Sequence, residues 1–346
     1  MPSETDHTTV LATVAQDGHA LTGATPTHRN DREIVLAAVA QTASALEYAS
    51  NTLRDDRAVV LAAVTWNGYA LRYASTSLRN DREMVLVAVS RNGNALQFAH
   101  ETLRDDRAVV LAAVTSRGHA LQFASHTHRN DRAVVRAAVA NHSGALQFAS
   151  PELRGDREYL LTLVTQDWHA LQFASPVLRN DREIVHAAAA QHGFALMFAS
   201  AALRNDRRLV LYVVARHGYA LFYASVPLRA HRQVVLTAVA QHGCALEDAA
   251  DHLRDDREVV RTAVVSNGRA LMHASQRLRG DFEIVSLAVN SNRRARNYIS
   301  PTLRSSPRYA RAGPVETKLL FRYMPFPYYL PDDLVAEHIL PRCHRA

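Results

Sequence analysis

A single lysine, Lys318, stands among 40 basic residues in a chain of 346; the rest are arginine. Cysteine is almost as scarce. Cys244 and Cys343 are too few for a disulfide framework and have no partners at metal-ligand spacing, which excludes a stapled secreted domain. No apolar run reaches the roughly 20 residues that span a bilayer, so no membrane partner is expected. The opening MPSETDHTTVLATVAQDG lacks a basic segment leading into a long apolar core, and a secretory signal is not expected. A cytoplasmic location fits these absences, with the nucleus as the alternative. Catalytic signatures are missing too: there is no glycine-rich phosphate loop, no H-E-x-x-H and no G-x-S-x-G. The expectation is a protein that is not an enzyme, with no catalytic residues and no cofactor.

The charge balance is less one-sided than the arginines suggest. Formal charge is +7, and the last 46 residues supply +3 of it. What remains is a mixed surface in which each arginine has acids nearby in sequence. Arginine suits bidentate and stacked contacts better than lysine does. With alanine and valine also abundant, the bias equally fits a GC-rich coding sequence.

What the chain has is repetition. Aspartate recurs at 6, 31, 56, 81, 106, 131, 156, 181, 206, 256 and 281, with His231 in the single gap. A period of 25 that never slips gives about twelve units between Thr5 and Arg304. Each unit reads as two short helices. The residue before the aspartate, such as Asn30, Asp55, Asn80 or Asp105, is expected to be the N-cap. The aspartate then lies in the first turn, at the positive end of the helix dipole. Glutamates such as Glu33, Glu83 and Glu183 follow at capping-box spacing. Next comes a run such as IVLAAVA, apolar around nearly its whole circumference and so expected to be buried on most faces. Gly18, Gly68, Gly93 and Gly118 are expected to end this helix in a left-handed conformation. The pattern A-L-x-aromatic-A-S forms the second helix, with Ala45, Leu46, Tyr48 and Ala49 as its buried face in one unit.

Another arginine, from Arg29 and Arg54 on to Arg279, precedes the expected cap in every unit but the first. It is expected to bond the last carbonyls of the preceding short helix or to pair with a neighbouring acid. A phosphate-binding ladder would instead require a stripe of unpaired bases.

These units resemble a tandem repeat family described only as a domain of unknown function, DUF4116, typified by L-R-x-D-R-E-x-V-L-x-A-V-x-x-x-G-x-A-L-x-x-A-S. The resemblance covers residues 5 to 304. It implies an all-α fold, an α-solenoid of two-helix repeats, and brings no activity with it. Departures are Ala43, Ser143, Trp168 and Arg293 in the glycine column, Gly23, Asp248 and His273 in the aromatic column, and His231 in the aspartate column. They imply local adjustment. The expected organisation is a repeat array over 1–304, a linker over 305–322 and a C-terminal segment over 323–346.

Since folding accounts for the framework columns, the varying columns around the glycine turn become the candidates for recognition. They supply Trp66, Tyr69, Arg91, Arg117, His192, Phe194, Arg216, His217, Tyr219 and His242. A protein partner bound along an extended surface is the first reading. The alternative is a nucleic-acid solenoid in which bases stack on Trp66, Tyr69, Phe194 and Tyr219 and arginines touch phosphate. His192, His217 and His242 share one column, but stacked helices lie roughly 8–10 Å apart while zinc ligands lie about 2 Å from the ion. No metal is expected.

The rhythm breaks after Arg304. Pro331 with Asp332 and Asp333 marks a helix start that leads into LVAEHIL. The plain expectation is a cap over the last repeat. LPDDLVAEHIL also resembles the opening of an F-box, with Leu330, Pro331, Leu334, Ile339 and Leu340 as the docking residues. That resemblance implies a ubiquitin-ligase adaptor as a partner, and the scarcity of lysine suits such a receptor. An F-box usually places three residues between the second leucine and the next isoleucine; here four separate Leu334 from Ile339.

Overall fold

The structure is a computed structural model that describes residues 4–307 and residue 309. The chain is all-α, an array of helical repeats at the 25-residue period, with no strand among the described residues. Most of the expected linker, beyond residue 309, and the expected docking residues Leu330, Pro331, Leu334, Ile339 and Leu340 lie outside the described residues. No helix among the described residues is long and apolar enough to cross a membrane.

Each unit starts at its aspartate. Asp31 holds an extended backbone, and its carboxylate accepts from the amides of Glu33 and Ile34, the first free donors of the helix Arg32–Gln41. Asp56, Asp106, Asp131, Asp256 and Asp281 do the same in their units. The cap therefore falls one residue later than the sequence reading places it. Asn30 instead closes the preceding one-turn helix, Pro26–Arg29, and its side-chain oxygen accepts from Ser50 Oγ of the next unit at 2.6 Å. Two adjacent residues competent to cap stand at this junction; the side chain of Asn30 is taken by Ser50 of the next unit, and Asp31 takes the helix with one of its two oxygens. Where His231 replaces aspartate, the helix Arg232–Gln241 begins with no side-chain cap.

The long helix buries one broad face. In Arg32–Gln41 that face is Ile34, Val35, Ala38 and Val39; in Arg57–Trp66 it is Val59, Val60, Ala63 and Val64. Burying each such Val or Ile contributes about 1.5–3 kcal/mol. The expectation of burial on most faces is corrected: Leu36 and Ala37 are half-buried and Leu61 is exposed. Stacked units on either side cover the flanks of the helix and leave one stripe open. The second helix is a tight 3-10 helix, such as Ala43–Tyr48 or Gly68–Tyr73, which sends an alanine and a leucine inward (Ala45 and Leu46, Ala70 and Leu71). Its aromatic residue is only half-buried. A third, one-turn element follows, such as Thr76–Arg79, with its leucine in the core. A backbone hydrogen bond then ties each unit to the next: Ser75 N donates to Arg54 O at 2.9 Å and Ser150 N to Arg129 O at 2.8 Å.

The repeated glycines serve packing. The long helix leaves through an extended residue, Asn67 at φ −146°, and none of the turn glycines for which a Cβ environment is resolved has a left-handed backbone. A Cβ on Gly68 would lie 2.0 Å from the carbonyl oxygen of Ala88, and one on Gly268 would lie 2.1 Å from that of Ala288. At these units the backbone of the next unit's helix occupies the place of a side chain, whereas Ala43, Ser143, Trp168 and Arg293 begin the equivalent 3-10 helix in other units. The left-handed cap expected from sequence is thereby corrected.

The described chain forms two compact bodies, residues 1–228 and 229 onward. The first holds nine units of the array and the second holds three, each built as described above.

Candidate partner-binding ridge

A long helix of ten residues separates two edges by about 15 Å. At its N-terminal end lies the cap edge and at its C-terminal end the turn edge. The cap edge is tied up in ion pairs. In the first body Arg32, Arg82, Arg107, Arg157 and Arg182 each reach the aspartate 24 residues on, at 2.7–3.6 Å. Arg57 and Arg132 pair in the same way, with Asp81 and Asp156. In the second body the rungs are Arg232 with Asp256 and Arg257 with Asp281. One carboxylate oxygen caps its own helix while the other takes the arginine of the preceding unit. Asp106 is held below the ordinary carboxylate range by Arg82 first and the Val109 amide second, against a smaller opposing effect of burial.

The turn edge carries the varying columns, and part of that variation proves structural. The residue just before the turn caps the 3-10 helix in several units: Asn67 accepts from the Tyr69 amide, Asn92 from the Asn94 amide and His192 from the Phe194 amide. Arg117, His217 and His242 hold that position with no side-chain cap. One column earlier, short polar side chains bridge units. Asn141 donates to Thr115 O at 3.0 Å and accepts from the Gly118 amide at 2.7 Å. Trp66, Arg91 and Arg216 stand in this column without such a bridge. Trp66 is 65% exposed, and the Arg216 guanidinium lies 3.8 Å over the Tyr212 ring.

One stretch of the edge departs from the rest. The long helices Arg157–Val164 and Arg207–Val214 end early, and the turns around them gather rings. Trp168 stacks on His192 at 4.8 Å, with the rings only 11° from parallel. His192 and His217 are 6.0 Å apart, and Phe194 meets Tyr219 edge-on at 5.1 Å. Burial first, and the charges of His192 and Arg216 after it, hold the His217 imidazole below its ordinary pKa against a hydrogen bond that it donates to the Ala190 backbone carbonyl. Phe194 is 42% exposed, Met197 44% and Phe222 59%. Among the described residues no three His, Cys, Asp or Glu side chains are grouped to hold a metal ion.

The structure thus brings His192, Phe194, Arg216, His217 and Tyr219 together in neighbouring units. It places Trp66 and Tyr69 at a separate turn, where Tyr69 OH accepts from Gln97 Nε2 at 2.9 Å and its ring packs against Phe98. Arg91 and Arg117 are exposed at two further turns, and His242 is exposed on the second body. Sequence reasoning misses Trp168, Met197 and Phe222. A signal for the last two is there to be found: their column reads Gln97, Gln122, Gln147 and Gln172 in earlier units, then turns apolar.

Neither a curated protein nor a solved structure matches the chain. The family described as Domain of unknown function (DUF4116) matches eight times, at residues 6–54, 56–104, 106–154, 156–204, 185–229, 206–254, 231–264 and 256–304. The longer matches span two structural units each and begin at the capping aspartate. With its repeats running from Asp6 to Arg304, the chain belongs to the DUF4116 family.

Proposed function

We propose that this chain is a non-catalytic scaffold that holds a protein partner along its turn edge. The observation that carries this reading is the outward placement of Phe194, Met197 and Phe222 in two successive units, beside half-buried Tyr219. Exposed aromatic and methionine side chains grouped this way supply the apolar centre of an interface, where most binding energy resides. Arg216 lies beside them as a polar rim. Each further unit adds a small patch, so affinity comes from several patches engaged together. Affinity capture of the full chain from a lysate, with and without nuclease, tests the reading. A protein that survives nuclease and is lost on Phe194→Gln with Phe222→Gln supports it. Capture that yields no nuclease-resistant protein partner counts against it.

A further inference from the structure

The array carries two arginine columns, and only one of them is neutralised. The arginine after the capping aspartate spends its charge on the next unit's carboxylate in most units, Arg207 being an exception because His231 stands in place of the aspartate. The other arginine ends each one-turn helix. Among the described residues, Arg254 with Asp251 is the one ion pair this column makes. Throughout the column, from Arg29 to Arg279, the Nε atom is buried and has no hydrogen-bond partner. Arg29 does reach a carbonyl of the preceding 3-10 helix, at Thr22, as expected from sequence. Among the described residues, Arg129, Arg154, Arg179 and Arg204 find no side-chain hydrogen-bond or ion-pair partner.

Those four lie in consecutive units of the first body; the aspartates two residues on, Asp131, Asp156, Asp181 and Asp206, are each paired with the other arginine column, and Asp105 accepts from Ser125 in the unit of Arg129. The residues that follow them are Asn130, Gly155, Asn180 and Asn205, whereas Asp55 and Asp105 follow the arginines of other units. The one-turn helices beside them carry a single acid, Glu152, which lies 3.7 Å from His126. The row is also held in register. The backbone carbonyls of Arg129, Arg154, Arg179 and Arg204 each accept from the serine amide 21 residues on, at 2.8–3.0 Å.

We infer that Arg129, Arg154, Arg179 and Arg204 form a stripe on the cap edge that binds the phosphodiester backbone of a nucleic acid without reading its sequence. This is the unpaired basic stripe that a phosphate ladder requires. Units stacked at roughly 8–10 Å would set one arginine opposite about every third phosphate of a strand with one charge per about 3.4 Å. Guanidinium geometry suits bidentate contact with phosphate. An unvarying row of cations fits a ligand whose charge repeats regularly, as a phosphodiester's does, and the guanidinium fork favours phosphate over the equally regular carboxylates of polyglutamate. The proposal rests on the arginine column and not on the exposed rings of the turn edge, so either reading can fail without the other.

The test uses the full chain with a fluorescent mixed-sequence oligonucleotide about 30 nucleotides long, as RNA and as DNA, with polyglutamate as a comparator. Anisotropy titrations between about 50 and 200 mM salt should give binding whose logarithm falls linearly with log salt, with a slope of about −3 to −4. Each of R129Q, R154Q, R179Q and R204Q should reduce that slope by about one, while R107Q, from the paired column, should leave it unchanged. Circular dichroism checks that each variant is folded. Should a glutamine variant unfold, Arg→Lys at the same position keeps the charge and should keep the slope. The proposal is overturned by absence of binding at about 50 mM salt, by a slope indifferent to the row, or by polyglutamate binding as tightly as the oligonucleotides.

Discussion

The two ends of one helix do different work. At the cap edge Asp131 caps its helix with one oxygen and takes Arg107 with the other, and the same arrangement recurs along each body. At the turn edge, about 15 Å away, the equivalent places hold Trp66, Arg91, Asn141 or Arg216. A cap edge tied to its neighbours tolerates little change, because each side chain serves two units at once. The turn edge has fewer such constraints, chiefly the glycine against the next helix and bridges such as Asn141 to Thr115, and around them side chains vary. Where variation produces exposed rings, as at Phe194 and Phe222, folding does not account for them.

The largest effect should come from the chief constraint on the turn edge. Gly68→Ala pushes a methyl group into the Ala88 carbonyl and should cost about 2–4 kcal/mol, read as a fall in the urea midpoint. A substitution that cost nothing would show that the stacked backbones yield freely. Asp131→Ala at the cap edge should cost about 1–2 kcal/mol, whereas Arg117→Ala at the neighbouring turn should stay within about 0.5 kcal/mol. Equal losses would erase the contrast between the edges. His231→Asp supplies the missing cap of Arg232–Gln241 and should raise stability by about 1 kcal/mol in thermal melts.

The smallest effect is in pH dependence. Asp248 replaces an aromatic residue, and burial first, with Glu247 second, pushes its carboxyl up to about 6. Its folded value exceeds its unfolded one, so the folded state holds the proton more tightly. The stability this lends is full below about pH 4 and is lost as pH rises towards 6. The paired aspartates act the other way. Their folded values are depressed, so the stability they lend is present above about pH 4 and is lost as pH falls below it. Asp248→Asn should flatten the decline between pH 4 and 6 in melts of the full chain; an unchanged profile would remove Asp248 from the account.

Much of this architecture is legible in the amino-acid sequence. The 25-residue period, the helical content and the buried Ile34-Val35 type of face follow from composition and spacing. The cap is misplaced by one residue because Asn30 and Asp31 are both competent, and only the contact of Asn30 with Ser50, twenty residues on, separates them. Gly68 reads as a conformational device because a glycine after a helix signals that locally; its real neighbour, Ala88, belongs to another unit. His192 is legible as a variable turn residue, but its capping of Phe194 depends on geometry that exists only once the 3-10 helix forms. Met197 and Phe222 escape notice because apolar residues in a helical pattern read as core.

The most direct test of the division between edges is one triple variant, F194Q with M197Q and F222Q, compared with the unaltered chain in thermal unfolding and in partner capture. The account predicts a melting temperature unchanged within a few degrees and a protein partner lost. Retention of the partner, or collapse of the fold, would contradict it.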